Sequence, residues 1–405
     1  GGEPETRNLI LAVALSVLVI VGWYALFPPT PPEPPQGQET AGAESGGAAP
    51  DAGGATGAEA PAVALGREAA LEASDRVAVD SPTLTGSISL TGARLDDLKL
   101  DNYREELDPG SDTVTLLNPV GGPSPYFVVH GWLPTRTGSP GELPGPGTSW
   151  RLAEGGTLAP GSPVTLEWEN GSGLVFRRTI SVDDRYMFTV RQSVENTREE
   201  RIDLAPYGYV ARRGQPETRG MWILHEGALG VFDEELREVD YDDMLELPPD
   251  PQEAGLVERV GVQSDGWLGF TDKYWMTTLV PEPGRDFAAV FKAVPGSGPE
   301  FRTEMRLPVV SLAPGATEEI TTRVFAGAKE VGTIRDYQRE LGIDRFEDSV
   351  DWGWFYFLTK PIFTMLHWIS IQIGNMGWAI IALTFVVKAI LFPLAYKSYV
   401  SMSKM

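Results

Sequence analysis

Apolar positions along this chain follow three successive patterns, and each predicts a different kind of element. The first is an unbroken run. Residues 9–27, LILAVALSVLVIVGWYALF, carry no charge, follow Arg7 and end on Trp23–Tyr24 and Pro28–Pro29. That length suits a hydrocarbon core of ~30 Å. A cleavable signal peptide would have a shorter apolar core and a small-residue cleavage site directly after it. Here PPTPPEPP follows instead. The pattern predicts an uncleaved signal anchor over residues 8–27, with 1–7 on the cytoplasmic side. Residues 28–74, rich in Pro and then in Gly, Ala and Glu, offer almost nothing large enough to pack and read as a disordered linker.

The second pattern is alternation. From 75 to 329 apolar residues recur at every second position, as Leu84, Gly86, Ile88 and Leu90 do in TLTGSISL. VTLEWENGSGLVFRRTISV predicts a hairpin hinged on Asn170–Gly171. YMFTVRQSVEN, IDLAPYGYVARRG, DFAAVFKAV, EFRTEMRLPVVSL and EEITTRVFAGAK continue the series between Gly, Pro, Asn and Asp breaks. Short strands at such spacing predict a large all-β sandwich. Residues 232–253 interrupt it with ten acids and one Arg, which reads as a solvated acidic loop or, less simply, a partner-docking surface. Residues 330–350, containing TIRDYQRELGIDRF, predict a bridging helix.

The third pattern, 351–405, holds two membrane elements joined at Gly374–Asn375. Residues 375–395 are long and apolar enough to cross a bilayer. Lys388 lies inside that span and Thr384 one turn earlier on the same face. An ammonium there costs roughly 2.5–3.5 kcal/mol on insertion scales. Either Lys388 snorkels to the near headgroups, or this face is functional. Residues 351–373 combine Trp352, Trp354, Phe355 and Trp368 with a narrow polar stripe, Lys360, Thr364 and His367 at i, i+4, i+7. The pattern predicts an amphipathic helix in the bilayer interface, kinked or restarted at Pro361, with a second transmembrane pass as the alternative. The fold class is therefore mixed, an all-β domain plus transmembrane and interfacial helices. Lys397 and Lys404 follow the second span, whereas the region between spans is acidic. The positive-inside rule puts both termini in the cytoplasm and the β domain in the periplasm.

Charge narrows the function. A net charge of −23 and a pI near 4.6 argue against nucleic-acid binding, which needs a basic face. With no cysteine, disulfides and thiol chemistry are excluded. His130, His225 and His367 are far apart and none has a ligand partner at metal spacing, so no metal or cofactor is expected. His130 reads as a structural or edge histidine. His225–Glu226 is the adjacent pair that could act on a sugar, and Trp267, Tyr274 and Trp275 could stack on a ligand, although such strands are more often core. No nucleophile elbow or phosphate loop occurs, which points away from an enzyme.

The run DWGWFYFLTKPIFTMLHWI…GNMGWAIIALTFVVKAILFPLAYKSYVSMSKM resembles the start of the membrane core of the YidC/Oxa-type membrane protein insertases, and DGWLGFTDKYWMTTLVP is similar to a stretch of the YidC periplasmic domain. The resemblance implies a periplasmic β-supersandwich and a five-helix core enclosing a hydrophilic groove open to the cytoplasm and to lipid. In TFVVKAILFPL, Lys388 takes the place of the groove's single basic residue, usually Arg, and Thr384 matches a polar groove residue. Lys keeps the charge but loses the bidentate fork. The implied partners are nascent membrane proteins, the Sec translocon with accessory SecDF subunits, the ribosome on the cytoplasmic side and the lipid bilayer of the inner membrane. The resemblance covers the N-terminal two thirds of a family member; 396–405 would begin a cytoplasmic helical hairpin, followed by four further transmembrane helices. A reading from another class is a two-pass anchored periplasmic sandwich that binds a glycan or a protein.

Overall fold

In the strand Leu174–Val182 every second side chain is buried, from Leu174 to Val182, and this pleated alternation recurs through two antiparallel sheets packed face to face. The structure, a computed structural model, describes residues 65–108, 110–135, 140–216, 218, 225–353 and 355–403. The expected signal anchor and most of the expected linker lie outside the described residues. The first sheet runs, in spatial order, Arg76–Asp80, Leu84–Ser89, Arg94–Arg104, Tyr126–Pro134, Ile202–Arg213, Glu300–Arg306, Phe287–Val294, Gly255–Val262 and Pro249–Asp250. Thr113–Leu117 adds to Arg94–Arg104 and Val310–Leu312 to Ile202–Arg213. The second runs Glu235–Asp240, Gly227–Phe232, Gly266–Thr271, Trp275–Pro281, Thr317–Ala328, Met187–Asn196, Leu174–Val182, Val164–Glu169 and Arg151–Glu154. The β-sandwich class expected from alternation is the one observed.

The expected hairpin forms between Val164–Glu169 and Leu174–Val182, with Glu169 opposite Val175. Asn170 closes it, its Oδ1 accepting the amides of Ser172 and Leu174. Five helices complete the described chain: α1 (Arg67–Glu72), α2 (Tyr241–Met244), α3 (Val331–Leu341), α4 (Tyr356–Ile373) and α5 (Met376–Ser403), with a 3-10 turn at Phe346–Ser349.

Three expectations are corrected. The linker does not reach residue 74, because REAALE favours helix and α1 docks: Arg67 ion-pairs with Asp97, its Nε donates to Asn118 Oδ1 at 3.0 Å, and Ala70 is buried. The acidic stretch is not a loop, since Glu235–Asp240 pairs along Gly227–Phe232 and α2 follows it. Val239, Tyr241 and Met244 are buried among the acids and pull the segment onto the core. Of the structural and edge readings of His130, the edge one is set aside and the structural one stands; its strand lies between two others, and its ring faces the interior. There the buried Arg178 donates to the carbonyl oxygens of Ala93 and His130 and lies 5.0 Å from the Trp150 ring. Burial, reinforced by Arg178, lowers the His130 pKa to about 3, and burial lowers that of Arg178 to about 10.

One apolar core fills the space between the sheets, with Phe176, Phe188, Trp267, Phe291, Phe301 and Phe325 at its centre. By pleat alternation, Phe127, Val129, Tyr207 and Tyr209 form a second cluster on the far face of the first sheet. Tyr207 lies flat over Gly131, where a Cβ would come within 2.7 Å of the ring. Beside this cluster Glu253 accepts Arg306 twice, at 2.7 and 3.0 Å, and Arg259 at 2.7 Å, while Lys292 Nζ bonds its carbonyl oxygen at 2.6 Å.

Burial alone would raise the Glu253 pKa, but Arg306, Arg259 and Lys292 override it and hold it at about 2. Its folded pKa is thus below the ordinary carboxylate value, so its stabilisation is full above about pH 4.5 and is lost as pH falls toward 2. Replacing Glu253 with Gln should therefore remove roughly 2–3 kcal/mol at neutral pH and little near pH 2, measured by urea unfolding across that range.

Candidate functional site

The sandwich hands the chain to its C-terminal helices through a rigidly held joint. Helix α3 begins at Glu330, whose carboxylate accepts hydroxyls from Tyr103 (2.6 Å), Tyr186 (3.0 Å) and Thr333 (2.8 Å). Burial, and then the bond to Glu330, pushes the Tyr103 pKa up to about 12. Helix α3 ends at Gly342, which takes the left-handed conformation (φ 65°) that glycine adopts without strain. Phe346 then inserts edge-on between Trp267 and Phe325, at 5.3 and 5.5 Å. Glu347 is fixed by Arg335 (2.7 Å) and by its amide on Gln338 (2.8 Å), and Trp267 Nε1 donates to Asp344 O.

From that joint α4 sets out. Trp352 Nε1 donates to Glu347 O at 3.3 Å, its ring meets Phe363 edge-on at 5.4 Å, and Lys360 Nζ stands 5.4 Å above it. Lys360 also pairs with Asp348 at 3.3 Å. The aromatic–cation contact strengthens a half-exposed ion pair that alone would contribute little. Helix α4 runs on through Pro361 as one helix, so of the expected kink or restart the restart does not occur. The proline falls early in the helix and removes a single amide, and apolar contacts with α5 offset the loss.

Gly374 (φ 70°) turns the chain, and α4 lies alongside the first half of α5. Ile362, Met365, Leu366 and Ile369 meet Ala379, Ala382, Leu383 and Val387. On helical geometry the stripe Lys360–Thr364–His367 is opposite this contact. Thr384 and Lys388 stand about 100° round α5 from Leu383 and Val387, so α4 does not cover them. Both are exposed. Thr384 Oγ1 donates back to Ile380 O at 2.8 Å, and among the described residues Lys388 has no hydrogen-bond or ion-pair partner. Around them Phe385, Ile390, Leu391 and Phe392 are also exposed. Eighteen residues, Met376–Pro393, are long and apolar enough to cross a membrane, at about 27 Å. Helix α5 continues to Ser403 and so includes the first of the residues expected to begin the cytoplasmic hairpin.

The predicted site residues fall into two groups. Trp352 and Lys360 come together at the joint; Phe355 and Trp368 are exposed along α4, and Trp354 lies outside the described residues. Lys388 and Thr384 share a separate face of α5. Sequence reasoning missed Glu347 and Asp348, which hold Trp352 and Lys360. Asp348 lies twelve residues before Lys360, a spacing with no local signature. The sugar-type pair does not assemble: His225 bonds Asp240 and Ala228, while Glu226 accepts the amide of Lys273. Trp267 is core, and Tyr274 is exposed.

A two-sheet sandwich followed by an apolar helical hairpin defines a membrane-type protein with a large extramembrane β domain. Residues 76–365 match the family described as the YidC periplasmic domain. The chain belongs to the YidC family. The membrane protein insertase YidC of Cereibacter sphaeroides (strain KD131) is 50% identical over 413 residues, covering 100% of this chain and 65% of that protein. The one from Paracoccus denitrificans is 50% identical over 431 residues, covering 100% and 67%. This chain thus spans about two thirds of the length of its curated relatives. Among solved structures, a galactose mutarotase related enzyme from Lactobacillus acidophilus covers 62% of this chain and 97% of its own at 9% identity and a TM-score of 0.41. At that distance the likeness carries no argument about chemistry.

The cysteine-free background allows a direct check of the hairpin. With Ile369→Cys and Ala379→Cys the chain in a bilayer should cross-link under mild oxidation, whereas Thr364→Cys with Ala379→Cys should not. The readout is the mobility shift on a non-reducing gel.

Proposed function

We propose that the complete protein is an insertase that assists nascent membrane proteins into the inner membrane, with the sandwich on the periplasmic side. The observation that carries this reading is the pairing of Thr384 and Lys388 on one uncovered face of an otherwise apolar, span-length helix. Family membership supports it, because the curated relatives are named membrane protein insertases. The ammonium at 388 is expensive in hydrocarbon and has no partner among the described residues, so a wet cavity walled by further helices is what makes it tolerable.

Such a cavity in the inner leaflet does its work without making or breaking a bond. It shortens the hydrocarbon a polar segment must cross, Lys388 attracts acidic substrate residues, and Thr384 supplies a hydrogen-bonding neighbour. Apolar substrate segments then leave sideways into lipid. Lysine acts here as a point charge, so no planar pairing with a carboxylate is required. Helix α4, with Trp352, Phe355, Lys360 and Trp368, braces the periplasmic rim at the interface. The sandwich is a docking and spacing module, the Sec translocon and SecDF are its proposed partners, and the ribosome meets the cytoplasmic side.

In the complete protein, Lys388→Glu should slow insertion of substrates with acidic translocated tails by about tenfold or more, and Lys388→Arg should preserve it. Protease protection of such substrates in proteoliposomes reads the effect. Unchanged insertion with Lys388→Leu would mean the lysine only snorkels.

A further inference from the structure

His225 stands where the second sheet meets the exit toward α4. Its ring Nδ1 is 2.7 Å from Asp240 Oδ1 and its Nε2 is 2.9 Å from the carbonyl oxygen of Ala228. Both partners only accept, so both ring nitrogens must donate. An imidazole carries two N–H groups only as the cation. Turning the ring over would place carbon atoms against both oxygens and lose both bonds. The His225 backbone amide in turn donates to Asp351 Oδ2 at 3.3 Å, and Asp351 Oδ1 accepts the amide of Gly353 at 2.7 Å. One residue thus ties the edge hairpin of the second sheet to the first residues of the exit segment.

The groups around it have a consistent polarity. Glu238 and Asp240 face it from the edge strand and Asp351 from the exit segment. At the end of Thr317–Ala328, Lys329 Nζ donates to Thr271 Oγ1 at 2.8 Å, amid Asp272, Asp351, Glu226 and Glu238. Burial lowers the Lys329 pKa to about 8 in spite of those four carboxylates. Burial also raises that of Glu238, with Asp351 and Asp240 adding to the rise against the opposing pull of His225.

We propose that His225 is a proton-operated clasp: the protonated ring holds Asp351–Gly353 against the sandwich, and loss of the proton frees that segment and with it the direction in which α4 leaves. The neutral ring donates through one nitrogen only, so its other nitrogen faces an oxygen lone pair to lone pair. His225 then shifts, and its amide loses Asp351. The direction is fixed by which form is bonded: the clasp is closed while the ring carries both protons and opens when a rise in pH removes one. The clasp stands whatever the hairpin does in the bilayer.

Hydrogen–deuterium exchange of the full chain in nanodiscs, corrected for the intrinsic pH dependence of exchange, tests it. Between about pH 6 and about pH 8.5 the peptide covering 350–355 should lose roughly tenfold of its protection, the size of one charged hydrogen bond. His225→Gln should abolish the difference, and Asp351→Asn should leave the peptide weakly protected at both values while the His225 ring still titrates in its 13C NMR signal. Peptides from the core strand Phe287–Val294 report whether each variant is folded. Wild-type protection that does not change with pH would overturn the clasp, as would a response that persists in His225→Gln.

Discussion

An ammonium on a helix whose other surroundings are hydrocarbon-like is the constraint on which the functional part of this chain turns. Lys388 is exposed on α5, α4 packs against a different face, and the neighbouring exposed side chains are Phe385, Ile390 and Leu391. In a bilayer such a group needs water, a counter-charge or a route to the headgroups. A protein that keeps it in water at that depth has built a place where polar polypeptide is tolerated, and the proposed insertase activity follows from that tolerance. Ordinary packing, by contrast, explains α5's other face: Ala379, Ala382 and Leu383 let α4 approach closely.

The sandwich matters to this constraint because it fixes where the hairpin starts. The three hydroxyls on Glu330, the edge-on insertion of Phe346 and the ties on Glu347 leave the 3-10 turn little freedom. Beyond it the contacts among the described residues thin to Trp352 with Glu347, Lys360 with Asp348 and Trp352, and Asp351 with His225. Strong anchoring therefore gives way to a few charged contacts within about ten residues, so adjustment of the helix relative to the domain is concentrated there.

Much of the β domain was legible because strands such as Leu174–Val182 bury one face, so alternation survives there, and Asn170–Gly171 announces its own turn; Tyr126–Pro134 and Gly227–Phe232, buried on both faces, carry no such alternation. The span-length helix was legible for the opposite reason, an apolar run long enough to cross a bilayer. What the sequence hid was pairing over distance. Arg67 needs Asp97 and Asn118 to make α1 a docked helix; Lys360 needs Asp348; and His225 reaches Asp351 across 126 positions. The acidic stretch misled in another way: its charges dominate the composition, while Val239, Tyr241 and Met244, which decide its fold, are few. At Pro361 a local rule left a restart of the helix open, and the helix instead continues through it.

Water accessibility at position 388 decides whether the cation is kept wet. In the complete protein in native membranes, single cysteines at 384, 385, 388 and 389 can be challenged with a small charged thiol reagent from each side. Cysteines at 384 and 388 should react from the cytoplasmic side, with 385 and 389, about 100–140° round the helix from 384, silent. If 388 is as silent as 385 and 389, no cavity surrounds it, and the proposed route for polar segments does not exist.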